Sequence, residues 1–373
     1  MNRRNLVVAT ASASVLAACG VLKPNELVGT TSVLANTPQL GAQQPSTPKA
    51  NTPLKRIAFG SCIDQNKPQP MWAPVLSDNP DLFIFGGDNV YASAQPWQQA
   101  NLDAAYVKLA SHDGFTQLRA TVPHIAIWDD HDYGLNDGGA NFLHKQASKD
   151  TFLNFWGASS TDSRRSRDGL YESYNYGPAG QRVQVILLDA RWNKSPWKPT
   201  DQRDTPGKER YVPDTDPNKT MLGAAQWTWL ETQLKQPADV RLIVSGVQVL
   251  AEGHGWERWG LMPLEQQKLF DLINQTRANG IVFLAGDRHI GALYKESKNT
   301  PYSFYELTSS GMTHPWADAK EAGPNRLGEL VTELHYGMVE IDWATQVVSL
   351  QLRNKTQSVV RRVDVPLSQL QLR

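Results

Sequence analysis

The chain has 373 residues, of which 40% are hydrophobic and 20% charged, the proportions of a soluble globular protein with a sizeable core. Its 37 basic and 37 acidic side chains cancel. With no field of one sign, composition argues against a nucleic acid or other polyanion as partner.

The first residues, MNRRNLVVATASASVLAACG, place Arg3 and Arg4 ahead of small and aliphatic residues and end in Leu16-Ala17-Ala18-Cys19. That is the layout of a secretory signal, too short and too rich in Ala, Ser and Thr for a good membrane span. The ending resembles a bacterial lipobox, which implies cleavage before Cys19, acylation of its thiol and residence in the cell envelope or periplasm. The plainer reading is an ordinary secretory signal with a fortuitous cysteine. From Val21 to about Pro53 the sequence is Pro, Thr, Gln, Asn, Ser and Ala with few large apolar residues, which reads as a flexible tether. The expected organisation is a signal peptide over 1–18, a tether over 19–54 and one domain over 55–373.

From Lys55 onward, short apolar runs alternate with helical patterns. Strands are predicted at Arg56–Phe59 and Leu82–Phe85, then a helix at Trp97–Leu109, a strand at His124–Trp128 and a helix at Phe142–Trp156. After a polar loop at Gly157–Asp168 come a strand at Val183–Leu188 and a loop at Asn193–Thr220 rich in Pro, Asp and Lys. A helix at Ala224–Leu234, a strand at Arg241–Ser245, a helix at Pro263–Arg277 and a strand at Ile281–Ala285 follow. The C-terminal part turns strand-like at Tyr302–Thr308, Gly337–Trp343 and Gln346–Arg353. Near-continuous apolar strands alternating with helices indicate an α/β protein with parallel pairing. A connection as long as 193–220 reads either as a functional rim or as an inert insertion.

The residues after each strand carry the chemistry. They are Gly60-Ser61-Cys62, then Gly87-Asp88-Asn-Val-Tyr91, Asp129-Asp130-His131-Asp132, Asp189-Ala190-Arg191, Gly246-Val247-Gln248, and Gly286-Asp287-Arg288-His289. In open α/β sheets, ligands bind beyond the carboxyl ends of the strands, so these residues converge on one edge. Each motif alone also reads as an ordinary or salt-bridged turn. Jointly a thiol, a phenol, carboxylates and two imidazoles make the composition of a metal site with a phosphate handle. Cys62 has no intramolecular partner if Cys19 carries lipid. A lone cysteine is more often a small buried hydrophobe than a metal ligand.

Phe59-Gly-Ser-Cys62, Gly87-Asp88-Asn-Val-Tyr91, Trp128-Asp-Asp-His-Asp132, Leu188-Asp-Ala-Arg-Trp192, Leu222-Gly-Ala-Ala-Gln-Trp227, Ser245-Gly-Val-Gln248, Gly286-Asp-Arg-His289 and Leu307-Thr-Ser-Ser-Gly311 follow one another in order. As a set they resemble the PhoD-like family of alkaline phosphatases and phosphodiesterases, within the metallophosphoesterase superfamily. The resemblance implies a four-layer α-β-β-α sandwich with a metal centre at the carboxyl ends of the strands. It implies iron(III) held by Cys62, Asp88, Tyr91 and His289, and calcium held by Asp88, which bridges, with Asp130 and Asp287. His131 is then expected to contact substrate and Asp132 to orient it. Two departures stand out: Asp132 takes a place where the family often has Glu, and the Gly-rich run after it offers no clear further calcium ligand. Phenolate and thiolate suit a trivalent Lewis acid, and carboxylates suit calcium.

The implied reaction is hydrolysis of a phosphate ester by a hydroxide generated on the metal pair. His131 would assist the leaving oxygen, and Arg191 would either spread the phosphoryl charge or pair with Asp189 or another carboxylate. His254 and His314 read as loop-surface residues. A phosphomonoesterase is the leading function, with phosphodiesterase or phospholipase activity as the alternative on the same centre. A non-catalytic phosphate-binding envelope lipoprotein would have lost a ligand type, and none is missing. A zinc hydrolase lacks its usual Cys pairs and His-x-x-x-His spacing. The expected partners are a phosphate-ester small molecule or a phospholipid-type substrate, with membrane contact only through the anchor. The chain is expected to be a monomer.

Overall fold

A computed structural model describes residues 51–372. The signal peptide, Cys19 and the tether up to residue 50 lie outside the described residues.

The first three apolar runs become β1 (Arg56–Gly60), β2 (Leu82–Gly86) and β3 (His124–Ile127), paired in parallel. Every residue of β2 is buried, as expected of a strand covered on both faces. Their crossovers carry α1 (Trp72–Ser77), α2 (Gln99–Ala110) and α3 (Asp113–Thr121). The chain then forms α4 (Asp130–Tyr133), α5 (Lys145–Phe155), β4 (Glu172–Tyr176) and β5 (Val183–Leu187). Next come α6 (Gly223–Leu234), β6 (Val240–Ser245), α7 (Pro263–Gln275) and β7 (Ile281–Ala285). The last strands are β8 (Gly291–Glu296), β9 (Phe304–Ser309), β10 (His335–Asp342), β11 (Val347–Asn354) and β12 (Val359–Pro366).

Two six-stranded sheets result, with strand orders β12-β11-β10-β1-β2-β3 and β4-β5-β6-β7-β9-β8. β5, β6, β7 and β9 are parallel, while β4 and β8 run antiparallel at the edges. The C-terminal strands complete the first sheet, because β10 pairs antiparallel with β1, Ile57 opposite Val339. β8 and β9 pack on β10 and β11, face to face. Helices cover the outer faces, so the fold is the expected four-layer α-β-β-α sandwich. Helix α7 shows the local logic. Pro263 opens it, where its missing N–H would have had no partner. Leu269, Phe270 and Ile273 then bury one face, each contributing roughly 1.5–3 kcal/mol.

The sequence reading missed α1, α3, α4, β4, β8 and β12. In α3 only Phe115 and Leu118 are buried, too few to show a period. β12 reads VVRRVDVP and is mostly half-buried or exposed, because an edge strand tolerates charge on its open side. Leu54 is already buried, its carbonyl accepting the Trp343 indole N–H at 2.9 Å.

Candidate metal centre

Parallel strands point their carboxyl ends one way, so the residues after β1, β2, β3, β6 and β7 meet where the two sheets adjoin. The turns that deliver them are strained. Cys62, Asp88, Asp287 and His289 have φ of 61°, 49°, 66° and 55°, a left-handed region that costs a non-glycine residue about 1–2 kcal/mol. Backbone hydrogen bonds hold them there: Cys62 N–H donates to Gly87 O at 3.4 Å, Ile63 N–H to Asp88 O at 2.8 Å, and Gly286 N–H to Gly246 O at 3.0 Å. Two glycines allow the approach. Gly87 has φ 102° and lies against Asp129, and a Cβ on Gly246 would fall inside the Asp129 carboxylate.

The first cluster gathers one thiol, one carboxylate, one phenol and one imidazole. Cys62 Sγ lies 3.5 Å from Asp88 Oδ2, Tyr91 OH donates to the same oxygen at 3.3 Å, and Tyr91 OH is 2.9 Å from His289 Nε2. Asp88 is shared with a second cluster, formed with Asp129, Asp130 and Asp287, whose ligand atoms all lie within 4.8 Å of one another. Asp130 and His131 group with Asp88 as well, and Asp130 also groups with Asp137 and Glu257.

Such a set repels itself. Burial, and then the charges of Asp130 and Asp129, hold the Asp88 carboxyl well above the usual range. Burial, then Glu257 and Asp129, does the same to Asp287. Burial, then Asp88 and Asp287, raises the Cys62 thiol, and burial, then Cys62 and Asp88, raises the Tyr91 phenol. His289 is pushed down to about 3 by burial and by neighbouring His314 and Arg288, so it is a neutral imidazole with a lone pair to give. Asp129 Oδ2 and Asp130 Oδ1 are buried with no hydrogen-bond partner among the described residues. Unspent acceptors among mutually repelling anions are what bound cations would satisfy. The donor chemistry fits: Cys62, Asp88, Tyr91 and His289 offer soft and phenolic ligands, while Asp88, Asp129, Asp130 and Asp287 offer hard oxygens.

The structure therefore brings together all six residues expected as metal ligands, Cys62, Asp88, Tyr91, Asp130, Asp287 and His289, and sets His131 beside them. His131 donates its backbone N–H to Asp88 Oδ1 at 3.1 Å, and its ring Nδ1 is 2.7 Å from Ser93 Oγ. Its ring packs on Tyr91, centroids 4.2 Å apart.

One expected role is corrected and one open alternative is decided. Asp132 does not orient His131. One residue further along α4 it points elsewhere, accepting from Asp129 N–H at 2.7 Å, Asn89 Nδ2 at 2.6 Å and Tyr106 OH at 3.1 Å. It ties the β2 and β3 turns together, and Ser93 holds the His131 ring instead. Of the two roles open to Arg191, the structure shows the pairing with carboxylates. Arg191 is fully buried, with Nε on Asp129, its fork on Glu257 at 2.7 and 2.9 Å, and Nη1 on Gly138 O at 3.3 Å. Lys194 Nζ adds a second cation 3.7 Å from Glu257. Burial raises the Glu257 carboxyl, but Arg191 and Lys194 outweigh it and the net shift is downward.

His254 is fully buried rather than on the surface, and His314 is half-buried with its ring 4.3 Å from that of His289. Asp137, Glu257 and Ser93 were not singled out from sequence, and Asp129 was named in the Asp129–Asp132 motif without a ligand role. Glu257 lies in a Trp-rich loop with no local signal.

A cavity of about 210 Å³ opens beside the clusters, lined by Asp130, His131, Asp287, His289, Arg210 and Arg288, among others. No helix among the described residues is long and apolar enough to cross a membrane.

Comparison with known proteins follows the same lines. Residues 57–352 match the family described as PhoD-like phosphatase. A solved structure of PhoD superposes with a TM-score of 0.66 at 16% identity, over 87% of this chain and 70% of that one. A purple acid phosphatase from yellow lupin (Lupinus luteus) seeds gives 0.56 at 10% identity, over 87% and 55%. The anchor protein of the Plasmodium inner membrane complex gives 0.53 at 11% identity, over 86% and 90%. At these identities the structural likenesses speak for the fold. A search of curated protein sequences returned no match.

Proposed function

Since the chain belongs to the PhoD-like phosphatase family and is a phosphoesterase hydrolase, we propose that it hydrolyses phosphate monoesters at the Cys62–Asp88–Tyr91–His289 and Asp88–Asp130–Asp287 clusters. The observation that carries this reading is Tyr91: its phenol meets Asp88 and His289 at 3.3 and 2.9 Å while Cys62 reaches the same Asp88 oxygen. A phenol and a thiol on one carboxylate favour iron(III) in the first cluster, and the all-oxygen second cluster favours calcium. When bound, these metals supply Lewis acidity toward phosphoryl oxygens and a more acidic water.

The chain's own residues do the rest. When the His131 ring carries both protons, Nδ1–H donates to Ser93 Oγ at 2.7 Å and the Nε2 proton is left to act as the acid. That proton goes to the leaving alkoxide of the ester, which departs as an alcohol. Asp88 Oδ1, by accepting the His131 backbone N–H, ties the ring's position to the metal cluster. Arg191 holds Asp129 and Glu257 in place behind the site.

The test is metal analysis with a visible spectrum of the purified protein. About one iron per chain, and a tyrosinate charge-transfer band that disappears in Tyr91→Phe, is the expected result. Hydrolysis of a monoester by protein with no iron and no such band would overturn the ligand assignment. The same reading puts residues 55–373 outside the cytoplasmic membrane, tethered through a lipidated Cys19. Labelled palmitate should enter the wild-type chain and not Cys19→Ala.

A further inference from the structure

The cavity beside the centre holds two guanidinium groups that the mechanism above leaves idle. Arg210 comes from the long 193–220 connection, and Arg288 sits between Asp287 and His289. Both lie over one indole: the Arg210 guanidinium is 4.9 Å from the Trp256 ring centroid and that of Arg288 is 4.8 Å. Trp316 meets Trp256 edge-on at 5.6 Å. Trp256 is itself fixed, because its backbone N–H donates to Nδ1 of the buried His254 at 3.3 Å, and His254 Nε2 bonds Gln248 Oε1 at 3.1 Å. Trp316 N–H donates to His289 O at 2.7 Å.

Each arginine is anchored by one carboxylate. Arg210 Nη1 donates to Asp137 Oδ2 at 2.7 Å, and Arg288 Nη2 donates to Glu321. In both, Nε is buried and has no hydrogen-bond partner among the described residues. Arg191 shows the contrast, with Nε and both ends of its fork committed to protein acceptors. A buried guanidinium N–H is normally satisfied. Both guanidinium groups line the cavity and each commits only one of its Nη groups to a carboxylate, so N–H donors remain for an anionic acceptor supplied by the substrate.

We propose that Arg210 and Arg288 bind the phosphate of the substrate and bias the site toward phosphomonoester dianions over phosphodiester monoanions. This rests on the reading of the centre as a phosphoesterase. Two features carry it. Coulomb attraction grows with the product of charges, so two fixed guanidinium groups favour a dianion, the state of a monoester above its second pKa of about 6. The two guanidinium groups also share the cavity lining with Asp130, His131, Asp287 and His289, which sets them beside the centre. Trp256 and Trp316 line the same cavity. The 193–220 connection is then a working wall of the site, pinned by Arg210 and by Tyr211 OH, which donates to the same Asp137 oxygen at 2.6 Å.

The experiment compares Arg210→Gln, Arg288→Gln and Arg288→Lys with wild type in the metal-loaded protein. It measures KM for p-nitrophenyl phosphate and for bis(p-nitrophenyl) phosphate at pH 8, calorimetric affinity for inorganic phosphate, and thermal melting. Either Gln variant is expected to raise the monoester KM and the phosphate Kd about tenfold or more, and the diester KM less than threefold. Arg288→Lys keeps a charge against Glu321 and should fall between. Equal shifts for the two esters, or unchanged phosphate affinity in folded variants, would overturn the proposal. If Arg288→Gln fails to fold, Arg210→Gln decides, since the Arg210 side chain is 32% exposed. A wild-type protein that cleaves neither ester would strike the phosphoesterase reading instead, while phosphate calorimetry, which needs no turnover, still decides the arginine pair.

Discussion

Arg191→Met separates the two roles open to that arginine. In the structure its guanidinium is fully buried and bonds Asp129, Glu257 and the Gly138 carbonyl. Methionine fills much of the volume but leaves two buried carboxylates without that partner, and Lys194, 3.7 Å from Glu257, can compensate only one of them. Breaking a buried pair in this way costs about 3–5 kcal/mol. Unfolding entropy of ~2.1 cal/mol/K per residue, over the 322 residues from 51 to 372, converts that to a Tm lower by roughly 4–7 °C. Asp129 loses its brace, so kcat should fall. No substrate contact is lost, so KM should stay within about twofold. Thermal melting of the metal-loaded protein and steady-state kinetics on a monoester read both quantities. A variant melting within about 1 °C of wild type with a KM raised tenfold would refute this reasoning and put the guanidinium on the phosphoryl group.

Three further outcomes are expected. Burial raises Asp88 and Asp287 above the usual carboxylate range and Asp129 to about 7. A folded-state value above the unfolded one lends stability at low pH that is lost as pH rises through the folded value. Metal-stripped protein should therefore melt at a higher temperature at pH 5 than at pH 8, and loading with metal should remove most of that difference; a flat profile for the stripped protein would count against the repelling cluster. Gly246→Ala pushes a Cβ into the Asp129 carboxylate, and by displacing it should lower kcat by about 10–100-fold with the fold intact by circular dichroism. Glu306, buried on β9, is shifted by burial from 4.5 to about 7, so the stability it lends is complete below about pH 4.5 and lost as pH rises through 7. The shift is worth ~3 kcal/mol, and Glu306→Gln should flatten the wild-type fall in denaturant midpoint across that window.

Some of this was legible residue by residue. The strands β1, β2, β3, β5, β6 and β7 announce themselves as apolar runs because both faces are buried, and burial of a strand is a local property of sequence. The ligands Cys62, Asp88, Tyr91, Asp130, Asp287 and His289 each stand within a few residues of such a run, so knowing where parallel strands end was enough to group them. The strands β4 and β12 were not legible, since polar residues break their apolar runs, and β8, GALYKE, has a buried stretch that opens on Gly and Ala and is too short to read.

The sequence alone determined the family, the α/β class and the inventory of ligand types, because each is written within short stretches of chain. Tertiary structure decided which charge answers which. Arg191 finds Asp129 62 residues away and Glu257 66 away, and Arg210 finds Asp137 across 73. No local period encodes such pairs. They exist because strand-end turns and the 193–220 connection converge on one spot, where a buried charge must find a partner and an arginine committed at Nε and at both ends of its fork, as Arg191 is, has no donor left for the substrate.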